Sequence, residues 1–218
     1  MAPARRVPPS IPTARSGGPR HTAGVTRRPP RWLIDVVETL ALTLIAFFVI
    51  QTFIAQPFQV KQTSMETTLE PGQYVLVDKL TPRWNPYQRG DIVVLHPPAG
   101  WEDRDDTPFI KRVIGLPGDK VSIHDDGIVY VNGQALDEGG YTFEDQPTTP
   151  LGDTRAWTIG ADELFVMGDH REASADSRAF GPIKVDSVVG RAFLRYWPAS
   201  TFGILARPAY PSGTASGG

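Results

Sequence analysis

FIKRVIGLPGDK, residues 109 to 120, alternates like a strand and then stops at glycine and proline. Phe109, Lys111 and Val113 fall on one face, and Ile110, Arg112 and Ile114 on the other. Each face sets two apolar residues around one charge. A lone lysine in a strand usually lies on a solvated face. Among apolar neighbours, however, desolvation disfavours the ammonium form. A lysine that gives up its proton can serve as a general base. The run therefore predicts a strand and raises the question of what such a base would serve.

Around it the texture stays β. QYVLVDK, DIVVLH, DKVSIH, GIVYVNGQALD, ELFVMGD and SVVGRAFLRYW are short β-branched and aromatic runs, most of them bounded by Pro, Gly or Asp. Asn132-Gly133 is a strong hairpin signal. No long amphipathic helix is visible after residue 60, so the expected class is mainly β. Residues 138–160 read as a long exposed excursion. ASTFGILA, residues 199–206, is too short to span a membrane.

The N-terminal quarter is different. Residues 39–60 run 22 residues without a charge, and about 20 suffice to cross a bilayer as a helix. A core helix would show a polar face, and Leu40 to Ala55 shows almost none. A cleavable signal would need small residues before a cut, and Phe53-Ile54-Ala55 fits that poorly. Residues 32–56 are therefore expected to be a retained transmembrane helix, ending near Pro57. Ahead of it, residues 1–31 are rich in Pro, Arg, Ser and Gly, with seven arginines and no acid. They read as a disordered, cytoplasmic tail by the positive-inside rule. Residues 57–207 then form an extracytoplasmic domain, and residues 208–218 a flexible tail.

Composition narrows the chemistry. The 218-residue chain has no cysteine, which excludes disulfides, thiolate metal sites and cysteine nucleophiles. Beyond residue 31 there are 15 basic and 24 acidic residues, a balance of −9. The basic tail lacks aromatic residues to interleave with its arginines, so nucleic acid is not an expected partner. No G-x-S-x-G elbow and no H-E-x-x-H occur, and the four histidines are scattered. No metal or other cofactor is expected.

A serine remains. Ser64 stands in QVKQTSMETTL, residues 59–69, after an extended run. Taken alone it would be a turn or cap residue. Beside a desolvated Lys111 it becomes a nucleophile whose proton has somewhere to go. Lys61 is a second candidate base. On an extended segment it lies three residues from Ser64 and points to the opposite face.

Four blocks now stand in order: SMETTL, RGDIVVL (89–95), FIKRVIGLPGDKV (109–121) and GDHREASADSR (168–178). With them the chain resembles bacterial type I signal peptidases, membrane-bound Ser/Lys proteases that remove signal peptides from exported proteins. It looks most like the actinobacterial members, from the membrane anchor to about residue 205. The resemblance implies an antiparallel β-sheet fold behind a single N-terminal transmembrane helix. It places the nucleophile on Ser64 and the lysine base on Lys111. It brings a serine that hydrogen-bonds the lysine, Ser174, and an acid–arginine scaffold at Asp169, Asp176 and Arg178. Phe58, Val60, Met65, Leu69, Phe109 and Ile110 would wall small substrate pockets, favouring alanine one and three residues before the cut. The side-chain oxyanion donor falls on Gln62, in a Lys61-Gln62-Thr63 stretch where the family commonly has Pro-Ser-Gly or similar. Implied partners are signal peptides of exported preproteins, the bilayer of the plasma membrane and the secretion translocon. Gln62 is also the sole support for a competing reading, a membrane-tethered β domain that binds exported chains without cutting them. A self-cleaving repressor of the Ser/Lys type is disfavoured by the membrane span and by the lack of a helix-turn-helix pattern.

Overall fold

The computed structural model of the chain describes residues 30–98, 100–101 and 107–210. Residues 1–29 of the expected basic tail and 211–218 of the expected C-terminal tail lie outside the described residues. The chain divides after Leu42 into two packing units.

Helix α1, Arg31–Val49, buries none of its residues and continues through a π-helical turn, Ile50–Ile54. Together they make a 24-residue apolar helix, about 36 Å long at 1.5 Å per residue and so long enough to cross a bilayer. Its C-terminal boundary falls earlier than the sequence suggested. The backbone becomes extended at Ala55 (φ −149°, ψ 139°), so the uncharged run of residues 39–60 is only partly helical. Pro57 does not end the helix. It sits within strand β1, Ala55–Gln59, at the edge of a sheet, where proline is tolerated.

The body is mainly antiparallel β. Strands β2 (Tyr74–Asp78), β3 (Ile92–Leu95), β4 (Phe109–Gly115), β5 (Lys120–Ile123), β6 (Val129–Val131) and β7 (Gln134–Ala135) come first. Then follow β8 (Ala156–Thr158), β9 (Glu163–Met167), β10 (Ile183–Lys184), β11 (Val188–Trp197) and β12 (Gly203–Ile204). The larger sheet runs β1-β2-β11-β3-β4-β9-β10, with β12 on β11. The smaller runs β7-β6-β5-β8. All pairs are antiparallel. The hairpin between β6 and β7 turns at Asn132 and Gly133, both with positive φ, as a two-residue primed turn requires.

β4 lies between β3 and β9, and all seven of its residues are buried. Apolar clusters cover both of its faces. Phe109 and Val113 join Val93, Leu95, Leu164 and Val166 on one side. Ile110 packs with Val60, Met65, Leu69, Val75 and Val77 on the other, where Ile114 joins the separate cluster of Phe165 and Met167. The two charges of the opening run, Lys111 and Arg112, are thus both built into the interior.

Residues 138–160 are largely exposed, as expected, but they are tied to the body. They include β8, and Tyr141, Thr142 and Thr148 are buried. Glu138 pairs with Arg171 at 2.6 Å, and the Phe143 N–H donates to the Asp169 carbonyl at 3.1 Å. Arg178 donates to the Thr149 carbonyl at 3.0 Å. The segment is a strap across the loop of residues 168–178. Its Gly, Pro and Asp content reads as loop because these bonds join residues about 30 positions apart, beyond any local signal.

Candidate active site

Three pieces of chain converge. The nucleophile turn follows β1. Its Glu66 N–H bonds the Thr63 carbonyl at 3.0 Å, and its Leu69 N–H bonds the Met65 carbonyl at 2.7 Å. Ser64 is buried there, and among the described residues its own N–H has no partner. Strand β4 brings Lys111, whose Nζ lies 2.7 Å from Ser64 Oγ. The loop after β9 brings Asp169, Ser174, Asp176 and Arg178, all buried.

The Lys111 amine packs 5.2 Å from the Phe109 ring centroid. Burial, the largest influence, lowers its pKa from the ordinary 10.5 to about 8. Asp176 and Asp169 pull it back up, and Arg178 pushes it further down. Burial lowers a lysine because the interior cannot solvate the ammonium. With a pKa of about 8, the amine is mostly neutral at mildly alkaline pH, a form that can accept a proton.

The acid–arginine scaffold is two separate pairs. Arg178 grips Asp176 through Nε at 2.8 Å and Nη2 at 2.9 Å. Burial alone would raise the Asp176 carboxyl. Arg178, the Ser174 hydroxyl and the Gly168 N–H outweigh it and hold the pKa below the usual carboxylate value. Asp169 belongs instead to Arg112, through Nε at 2.8 Å and Nη2 at 2.6 Å. Thr68 donates to the same carboxylate at 2.6 Å. Arg112 had no role in the sequence reading, since its partner is 57 positions away.

Ser174 does not make the bond expected of it. Its hydroxyl donates to Asp176 Oδ2 at 2.7 Å, and no bond to Lys111 is formed in this conformation. The carboxylate, made a strong acceptor by its charge, takes the hydroxyl proton. Ser174 therefore braces its own loop through Asp176.

Gly168 is a residue the sequence reading passed over. A methyl group there would lie 2.5 Å from both Ser174 Cβ and the Ser64 carbonyl oxygen. Only glycine lets the loop close on the nucleophile turn, where the His170 N–H then bonds the Ser64 carbonyl at 3.1 Å. The glycine of GDH was visible in the sequence, but its packing partner was not.

Two clefts meet at Ser64. One is lined by Gln59, Val60, Lys61, Gln62, Met65, Pro108 and Ile110. The other is lined by Lys61, Gln62, Thr63, Phe109, Lys111, Ala173 and Ala175. Of the expected pocket walls, Val60, Met65, Phe109 and Ile110 reach a cleft. Leu69 does not: it is fully buried in the core behind them, and Phe58 packs against the same cluster. Gln62 is half-buried on both clefts. No group of His, Cys, Asp and Glu able to hold a metal occurs among the described residues.

A serine hydroxyl on a buried lysine amine, at the foot of a cleft, is the arrangement of a hydrolase that uses lysine as its base. The family is then settled by comparison: the chain belongs to the signal peptidases of peptidase family S26, whose sequence pattern matches residues 33–197. It is 35% identical over 179 residues to a signal peptidase I of Leptolyngbya laminosa, covering 81% of this chain and 85% of that one. It is also 35% identical over 184 residues to signal peptidase IB of Staphylococcus aureus, covering 78% and 92%. A solved signal peptidase I from Enterococcus faecalis aligns with a TM-score of 0.38 and 34% identity, over 48% of this chain and 95% of that one. The protein is thus a peptidase that removes signal peptides, not a binding domain without activity.

The site predicts a pH profile. If the neutral amine is the active form, kcat/KM for a peptide without ionisable groups near the cut rises with pH through a midpoint near the Lys111 value of about 8. A rate that is flat from pH 6 to pH 10 would show that this lysine does not take the proton.

Proposed function

We propose that Ser64 is the nucleophile and Lys111 the general base with which this peptidase cuts preproteins. The observation that carries the reading is the 2.7 Å contact between Lys111 Nζ and Ser64 Oγ, made inside an apolar sheet. Oγ attacks the scissile carbonyl as its proton passes to Nζ. The oxyanion formed is met by the unpaired Ser64 N–H, with the Gln62 amide beside it as the side-chain donor. Lys111, now charged, protonates the leaving amine, and the C–N bond breaks to leave an ester on Ser64. Lys111, neutral again, then takes a proton from water as its oxygen attacks the ester, and gives that proton to Ser64 Oγ as the C–O bond breaks, which releases the signal peptide acid (ionised in water to the carboxylate) and restores the serine. Asp169, Asp176, Arg178 and Ser174 are positioning residues that hold the loop against Ser64.

Specificity follows from the clefts. Val60, Met65, Phe109 and Ile110 are apolar and immobile within the core, so the pockets take small side chains. This supports alanine one and three residues before the cut. The substrate lies along the free edge of β1 and residues 60–62 as an added strand.

The membrane reading extends the same proposal. The 24-residue apolar helix anchors the chain in the bilayer, and the arginine-rich N-terminus keeps that end cytoplasmic. The body from residue 57 then stands outside, where preproteins leave the translocon, and works beside it. An actinobacterial subtype is supported by the sequence resemblance alone.

Two outcomes are expected. Ser64→Ala and Lys111→Arg each lower cleavage of a model preprotein by about 10⁴-fold or more, because the pair acts as a unit and a guanidinium stays protonated. An active Lys111→Arg enzyme would displace the base. In intact spheroplasts, added protease should degrade the body and spare an N-terminal tag; loss of the tag alone would reverse the topology.

A further inference from the structure

We propose that Lys61 is a specificity-determining residue that favours an acidic side chain on the substrate residue two before the cut. The inference rests on the added-strand reading of the substrate given above.

The backbone fixes which way each group points. Val60 turns both of its backbone groups to the neighbouring segment: its N–H bonds the Gln73 carbonyl and its carbonyl accepts from Gly72, each at 2.8 Å. In an extended chain the next residue turns its backbone the other way. Among the described residues the Lys61 N–H and carbonyl have no partner, so they are open to an incoming strand. Side chains alternate as well. Val60 and Ser64 are buried and Gln62 is half-buried, whereas Gln59, Lys61 and Thr63 are exposed.

A strand docked on this edge shares that alternation, because directly opposed residues place side chains on the same face. Substrate residues one and three before the cut enter the apolar clefts with Val60, Met65 and Ile110. The residue between them faces outward, on the side of Lys61. Lys61 borders both clefts that meet at Ser64. No carboxylate among the described residues pairs with it, since Glu66, the nearest acid in sequence, is taken by His170 at 2.9 Å. The other lysine of the clefts, Lys111, is buried and bonded to Ser64. Among the described residues, an acidic side chain on the bound peptide would find Lys61 as the exposed, unpaired cation bordering both clefts.

The test compares kcat/KM of the full-length enzyme, in detergent, on three versions of one model preprotein. Each has alanine one and three residues before the cut and carries Glu, Gln or Lys between them. Wild type should prefer Glu to Gln by about two- to fivefold, the range of an exposed ion pair, and disfavour Lys. The preference should shrink toward unity at about 1 M salt. Lys61→Arg should keep it, Lys61→Met should remove it, and Lys61→Glu should reverse it so that Lys becomes the best substrate. An identical Glu/Gln ratio in wild type and Lys61→Glu overturns the inference while Ser64-dependent cleavage stands. Failure of wild type to cut any of the three overturns the functional reading and this inference together.

Discussion

The proposed mechanism depends on keeping Lys111 in the interior beside Ser64. A buried ammonium is costly unless it finds a carboxylate, and among the described residues none bonds to Lys111, whose amine meets Ser64 Oγ. The protein resolves the conflict by letting the amine lose its proton. Folding stability carries the consequence. Between the folded value of about 8 and the ordinary 10.5, the unfolded chain holds a proton that the folded chain does not, so this group's contribution to stability improves as pH rises through that window. Below about 8 the fold bears the full cost of the buried charge. Part of the stability supplied by the surrounding apolar clusters is thus offset by the buried amine, a cost that the proposed mechanism accounts for.

The neighbouring cation shows that the outcome is a matter of partners. Arg112 is one residue further along β4 and equally buried. It donates to both oxygens of Asp169 and, at 2.9 Å, to the Gly90 carbonyl, and its guanidinium lies 4.3 Å from the Tyr141 ring centroid. Strand alternation sends the two cations to opposite faces, and the carboxylates sort between them. Asp176 is committed to Arg178, so it influences Lys111 from a distance without neutralising it. The strap of residues 138–160 supports this sorting from outside, through Glu138, Phe143 and Thr149. The loop that brings Asp169 and Asp176 is therefore held at several points, and Gly168 lets it approach the nucleophile turn closely.

The sequence disclosed most of this because its signals were local. β4 and the strands β2, β3, β9 and β11 are short β-branched or apolar runs with clear stops, and Asn132-Gly133 marks its hairpin. Lys111 was legible as a base candidate from its apolar flanks alone, whereas Ser64, Asp169 and Asp176 needed the order of four blocks. β1 was hidden because its apolar residues continue the membrane run without a break in polarity. β8 was hidden because three residues with one aromatic carry little periodicity, and its pairing with β5 is long-range. Leu69 was read as a pocket wall by resemblance; the helical bond from its N–H to the Met65 carbonyl turns it into the core instead. Ser174 was assigned to the lysine by resemblance, and the competition from Asp176 Oδ2 is a matter of ångströms that no spacing reports.

The most direct test is to observe the Lys111 amine itself. In the detergent-solubilised enzyme labelled with carbon-13 at lysine Cε, the Lys111 resonance can be assigned by its loss in Lys111→Met and followed across pH. The account predicts a titration midpoint near 8, well below that of the other lysines. A midpoint at or above the ordinary lysine value of about 10.4 would mean that the amine stays charged in the fold, and the mechanism built on it would be wrong.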